Sequence, residues 1–139
     1  MVDNLGVGEK RVVVGAAIVR DGRVLAARRT APAETAGRWE FPGGKVDPGE
    51  TDDESLVREV DEELGVHVRV DRWLSGEQPI GATYLLRVAT VTLLSGEPTP
   101  TEHDQVRWLA AGELDEVDWL EGDRPFLTEL SGLLPRLEP

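Results

Sequence analysis

The sequence predicts an α/β fold, a mixed sheet with helices on its faces, and three observations carry the prediction. Apolar runs rich in β-branched residues lie on both sides of one segment with clear helical periodicity. A second helical pattern closes the chain, and the turns between runs are short and marked by glycine. At 139 residues the chain fits one domain, because a chain of that size buries about 68% of its unfolded surface in a single core. Residues 1–10 read as a flexible polar tail and 11–139 as one domain.

The elements follow in order. "RVVVGAAIV" (11 to 19) is a continuous apolar run, the pattern of a strand buried on both faces. Asp21-Gly22 then turns the chain into "RVLAAR" (23 to 28), giving a hairpin. "RTAPAETAG" reads as a loop and "RWEF" (38 to 41) as a short strand, with two glycines directly after it. From Asp52 to Leu64 the helix signals agree: Thr51 with Glu54 fits a capping box, acids fill the first turn, and Gly65 is placed to end it. "VHVRVDRWL" (66 to 74) and "ATYLLRVATVTLL" (82 to 94) are strands, with "SGEQPIG" as the turn between them. A loop over 95 to 105 leads to a short strand "VRWLA". In "DRPFLTELSGLL", Phe126, Leu127, Leu130 and Leu134 stand at helical spacing, so a second helix packs there.

Composition excludes several classes of function. An apolar fraction of 40% beside a charged fraction of 30% belongs to a folded chain, not a disordered one. Twenty-seven acidic residues against fifteen Lys plus Arg give a net charge of -12, which repels phosphate backbones and argues against a nucleic acid polymer as partner. With no cysteine there is no disulfide framework, thiolate metal site or cysteine nucleophile. "MVDNLGVGEK" lacks the apolar run of a signal peptide and nothing approaches the roughly 18 apolar residues of a bilayer span, so no membrane partner and a cytoplasmic location are expected.

The chemistry concentrates in "FPGGKVDPGETDDESLVREVDEELGV" (41 to 66). On the helix, Leu56, Val57, Val60 and Leu64 fall in one stripe, while Glu59, Glu62 and Glu63 share another arc. Acids at that spacing repel by a few tenths of a kcal/mol per pair, so a compensating interaction is needed if the arc is more than a solvated surface. Hard divalent cations are held by carboxylate and carbonyl oxygens and keep sites open for phosphate oxygens. Gly43 and Gly44 allow close approach of backbone to a ligand, and Arg58 can fix a neighbouring carboxylate through two hydrogen bonds. The plainer readings are a turn and a surface ion pair.

Gly44, then Glu50, then "REVDEELGV" (58 to 66) match the Nudix box, G-x5-E-x7-R-E-U-x-E-E-x-G-U with U aliphatic, at every defined position. The likeness runs on through "ARRTAPAETAGRWEFPGGKV" and "VDWLEGDRPF", and the chain resembles the MutT-type branch of the Nudix hydrolase superfamily. The resemblance implies an α/β/α sandwich with a mixed sheet and an Mg²⁺-dependent nucleoside triphosphate pyrophosphohydrolase, with Mn²⁺ able to substitute. Glu59, Glu62 and Glu63 then bind metal with the Gly43 carbonyl, joined by Glu102 from a late loop, with Asp104 near enough to rival it. Glu59 is the first choice for general base and Glu62 the second, with Arg58 and Glu50 in supporting catalytic roles. Arg29 matches a phosphate-contacting arginine, with Arg28 its rival, and Lys45 joins them on the substrate side.

For the nucleobase, Asp123 occupies the place of a polar residue that reads the base in MutT-type proteins, where enzymes acting on 8-oxoguanine nucleotides carry Asn. An ionised Asp only accepts hydrogen bonds, which suits the amino group of cytosine and favours dCTP, CTP or 5-methyl-dCTP. Asp123 could equally cap the last helix. Most tryptophans read as core, with Trp39 or Trp119 available to stack on a base. His67 and His103 have no partner at ligand spacing. The expected partner is a small nucleoside triphosphate and the expected assembly a monomer or homodimer, in nucleotide-pool sanitation. The alternatives are an 8-oxo-dGTP diphosphatase and a Nudix module that senses a nucleotide without cleaving it.

Overall fold

The computed structural model describes residues 10–136, so most of the tail expected over 1–10, and the last three residues, lie outside the described residues. The first hairpin forms as its sequence requires. Strand β1 (Arg11–Arg20) turns into β2 (Arg23–Arg29) through Asp21 at φ 55° and Gly22 at φ 73°. Two successive left-handed residues make the turn whose twist matches antiparallel strands, which is why Asp-Gly stands there.

Two short strands follow, β3 (Trp39–Glu40) and β4 (Gly43–Lys45), then helix α1 (Asp52–Leu64). The expected helix boundaries hold because both caps form. Thr51 Oγ1 accepts from the Glu54 N–H at 3.1 Å, Glu54 Oε1 accepts from the Thr51 N–H at 3.0 Å, and Gly65 takes φ 71° while donating to the Asp61 carbonyl. Beyond α1 come β5 (His67–Trp73), β6 (Gln78–Ile80), β7 (Tyr84–Ser95) and β8 (His103–Leu109), and then α2 (Leu127–Leu133).

The main sheet path runs β3-β2-β1-β7-β5, with β4 on β1, β6 on β7 and β8 on β2. β1 and β7 are parallel from Arg11↔Tyr84 to Val19↔Thr92 and the other named ladders are antiparallel, so the sheet is mixed. Strand alternation then builds two cores. Val14, Ala16 and Ile18 of β1 face Leu56, Val60 and Leu64 of α1, while Ala17 joins Val24, Val88, Leu130 and Leu134 on the opposite side. Each fully buried leucine contributes about 1.5–3 kcal/mol through its removal from water. One helix on each face makes the expected α/β/α sandwich.

Three local expectations are corrected. The segment expected as a plain turn contains β6, whose Pro79 lacks a donor and is tolerated because β6 pairs with β7 alone. β8 starts at His103 rather than Val106, since β2 supplies partners as far as Arg29↔His103. The closing helix opens as a 3₁₀ turn over Arg124–Phe126, and another 3₁₀ segment, Ala111–Glu116, buries Leu114. Among the described residues no helix is long and apolar enough to cross a membrane.

Candidate active site

The double glycine is a steric requirement at both positions. β4 crosses β1 at Gly15↔Gly43 and Val14↔Gly44, and a Cβ on Gly43 would overlap the Val14 carbonyl oxygen. A Cβ on Gly44 would lie 2.5 Å from either carboxylate oxygen of Glu59. The strand therefore brings bare backbone against the acidic side of α1.

Arg58 organises that side. Its Nε and Nη2 donate to the two oxygens of Glu50 at 2.7 and 3.0 Å, and its Nη1 donates to Glu59 and to Glu62, each at 3.2 Å. The bidentate contact, with the Asp47 N–H, holds the Glu50 carboxyl down at about 2. Glu62 is turned outward, its side chain 60% exposed and paired with Arg58. Glu63 is turned inward, 8% exposed, and its Oε1 has no hydrogen-bond partner. Burial, then the charges of Glu102, Glu59 and Glu40, push its carboxyl up to about 8 against the pull of the Gly43 N–H. Glu59 is also raised, by burial first, with the Arg58 charge opposing.

The acids that feel one another thus extend beyond the helix: Glu63 feels Glu102, Glu59 and Glu40, while Glu62 acts on Glu59. Among the described residues no three acids or imidazoles are already gathered at ligand spacing. The donor set nevertheless fits a divalent cation: all-oxygen ligands, one carboxylate oxygen buried without a partner, and a mutual repulsion that a cation removes. Glu59, Glu63, Glu102 and the Gly43 carbonyl can hold such an ion, and Glu62 can join by leaving Arg58.

A cavity of about 580 Å³ opens beside these acids. Gly43, Gly44, Glu63 and Glu102 line it, and so do Phe41, Ile80, Leu86, Leu120 and Asp123. Asp123 is 5% exposed and its Oδ2 accepts from the Phe41 N–H at 3.2 Å. Burial first, and then the Glu40 charge, raise its carboxyl to about 8, with the Phe41 N–H and Arg29 opposing. Asp123 precedes the 3₁₀ turn, but its side chain makes no capping hydrogen bond. The shift favours the protonated carboxyl, which both donates and accepts, over the ionised group that the sequence suggests and that only accepts.

The other expected substrate residues divide. Arg29 lines the cavity and donates to Glu40 at 2.8 Å, and Lys45 lines it with its Nζ 5.1 Å from the centre of the Tyr84 ring. Arg28 instead binds both oxygens of Asp104, at 2.8 and 3.1 Å, which raises the arginine and lowers the aspartate, so these two rivals satisfy each other. Trp39 is 7% exposed in the core, and Trp119 is fully buried with its Nε1–H on the Leu114 carbonyl. Neither ring face is free for a base. His67 is exposed at the start of β5.

Two cavity residues escaped the sequence reading. Glu40 accepts from Arg29 through Oε1 and meets His103 Nε2 through Oε2 at 2.8 Å, and the His103 ring is buried with no partner at Nδ1. The available signal was strand alternation, which sends Glu40 to the face opposite the core residue Trp39. His103 carried no signal, because its partner lies 63 residues away.

A match to the NUDIX domain family covers residues 9–130. The chain is 43% identical over 127 residues to the "Putative 8-oxo-dGTP diphosphatase 2" of Mycobacterium tuberculosis, spanning 89% of this chain and 90% of the relative. It is 36% identical over 123 residues to the "CTP pyrophosphohydrolase" of Escherichia coli, spanning 87% and 91%. The solution structure of the E. coli ORF135 protein superposes with a TM-score of 0.80 at 31% identity, covering 96% of each chain. The chain belongs to the Nudix family and is a hydrolase acting on phosphoric anhydrides.

Proposed function

We propose that this Nudix hydrolase cleaves nucleoside triphosphates to the monophosphate and pyrophosphate with Mg²⁺, for which Mn²⁺ can substitute, acting in the cytoplasm on the free nucleotide pool. The observation that carries the reading is one cavity lined both by the acid group around Glu63 and by a buried carboxyl among apolar side chains. The first suits a metal-bound polyphosphate and the second a nucleobase.

A divalent cation held by Glu59, Glu63, Glu102 and the Gly43 carbonyl would neutralise phosphate charge and acidify a water. The chain supplies the rest. Glu59, in a state in which it does not ligate the ion, accepts the proton of the attacking water; Arg58 holds that carboxylate in place, and Glu50 holds Arg58. Glu62 is the second candidate for base. As oxygen bonds to phosphorus, the bridging P–O bond breaks and its electron pair leaves with pyrophosphate. Arg29 and Lys45 bear on the phosphates; Arg29 reaches them by exchanging part of its contact with Glu40.

At the base, the neutral Asp123 carboxyl complements cytosine by donating to N3 while accepting from the N4 amino group, which favours dCTP, CTP or 5-methyl-dCTP. The same carboxyl can donate to O6 of a guanine and accept from an adjacent ring N–H. That property, together with the mycobacterial relative's name, favours 8-oxo-dGTP as the second reading. The test is pyrophosphate release across a panel of nucleotides with Mg²⁺. Fastest turnover of cytidine nucleotides supports the first reading, preferential turnover of 8-oxo-dGTP replaces it with the second, and no turnover of any triphosphate refutes both.

A further inference from the structure

Ile80 is 38% exposed, one of two large apolar side chains so exposed among the described residues, and unlike Leu94 it lines the cavity. Its direction follows from the ladder. β6 pairs with β7 at Gln78↔Leu86 and Ile80↔Tyr84, and residues opposite each other in a ladder project to the same side. Tyr84 and Leu86 both line the cavity, so Ile80 is presented to it from an edge strand whose next residue is the turn glycine Gly81.

The residue beneath Ile80 is Gly122. Its backbone is not in the left-handed region, so torsion does not demand glycine there. What glycine gives is room: a Cβ on Gly122 would overlap Ile80 Cδ1, and the end of the isoleucine would have to turn aside. Gly122 therefore lets the isoleucine settle against the turn that carries Asp123. An aliphatic surface next to a buried carboxyl offers what a planar heteroaromatic ring needs, a dry face and a hydrogen-bonding edge.

We propose that Ile80, seated on Gly122, is a specificity-determining residue: the apolar platform on which the substrate's base lies while Asp123 engages the base edge. This rests on the nucleoside triphosphate reading above. Shortening the platform removes contact made equally in the ground and transition states, so it weakens binding and leaves the chemical step alone.

The experiment compares wild type with Ile80→Ala and Ile80→Thr, the second keeping a β-branched strand former if the first folds poorly. Each is assayed for kcat, KM and Tm on the best nucleoside triphosphate and on deoxyribose 5′-triphosphate, which has no base. The expected result is a KM about tenfold higher for the nucleotide, an unchanged kcat, and no change for the abasic compound. Gly122→Ala, which displaces Ile80, reproduces the effect in wild type and adds nothing in Ile80→Ala. Nucleotide turnover with an unshifted KM, or with equal shifts for both compounds, overturns the platform alone. Absence of turnover by wild type on every triphosphate overturns the nucleotide reading and the platform with it.

Discussion

Replacing Asp123 by Asn should stabilise the protein, and increasingly so as pH rises. The unfolded carboxyl ionises near 3.8, whereas burial and then the Glu40 charge hold the folded group at about 8, with Arg29 and the Phe41 N–H opposing. Between those values the folded chain keeps a proton that the unfolded chain gives up. The group's contribution is complete below about pH 4 and is lost as pH rises through about 8. Four units at about 1.4 kcal/mol each set a ceiling of about 6 kcal/mol, and water entry on ionisation lowers it. A third of that, about 2 kcal/mol, moves Tm by roughly 6–8 °C in a chain of this size. Asn does not titrate, and its carbonyl can accept the Phe41 N–H in place of Oδ2. Thermal melts of wild type and Asp123→Asn from pH 5 to 9, without metal, should show a gap in Tm that is small at pH 5 and widest at the alkaline end. Parallel curves would mean that Asp123 is ionised when folded, and the donor-and-acceptor account of the base site would fail.

The other predictions concern the acid group. Gly44→Ala places a methyl on the Glu59 carboxylate, so kcat should fall by about two to four orders of magnitude while circular dichroism stays native. Arg58→Lys loses the two-point grip on Glu50, so kcat should drop roughly tenfold or more with KM little changed; equal kcat would remove Arg58 from the machinery. Titrating Mg²⁺ or Mn²⁺ should raise Tm, by about 2.7 kcal/mol of stability at a hundredfold excess over Kd, and chelation should abolish turnover. Because Glu63 sits at about 8, ion uptake near pH 7 should release protons and tighten towards pH 8; calorimetry in buffers of different ionisation enthalpy reads this, and Glu63→Gln should reduce the release.

Local rules made most of the fold legible. The Asp21-Gly22 turn, the Thr51/Glu54 box and the Gly65 stop each act over a few residues, and each forms at the position its residues indicate. β6 and the early start of β8 were hidden because their strand character comes from partners elsewhere, β7 for one and β2 for the other, and not from their own short sequences, one with a proline at its centre and the other polar. The candidate site divides along the same line. Spacing along one helix put Glu59, Glu62 and Glu63 together, yet Glu62 turns out to Arg58 while Glu63 turns in, because the helix arc does not say which edge of it the sheet covers. Glu40 enters from β3, Glu102 from the loop before β8, and Asp123 from the turn before α2, so their mutual charge is a property of the packed molecule. This also bears on the substrate. Sequence gives Asp123 an ordinary carboxylate, which only accepts; packing shifts it towards the protonated acid, which also donates, and on the proposed reading that proton lets the site match a donor beside an acceptor. On the proposed reading, base preference depends on what surrounds the aspartate, burial first and the Glu40 charge second, so Glu40→Gln should shift selectivity between cytidine and guanine nucleotides while also easing the repulsion on Glu63.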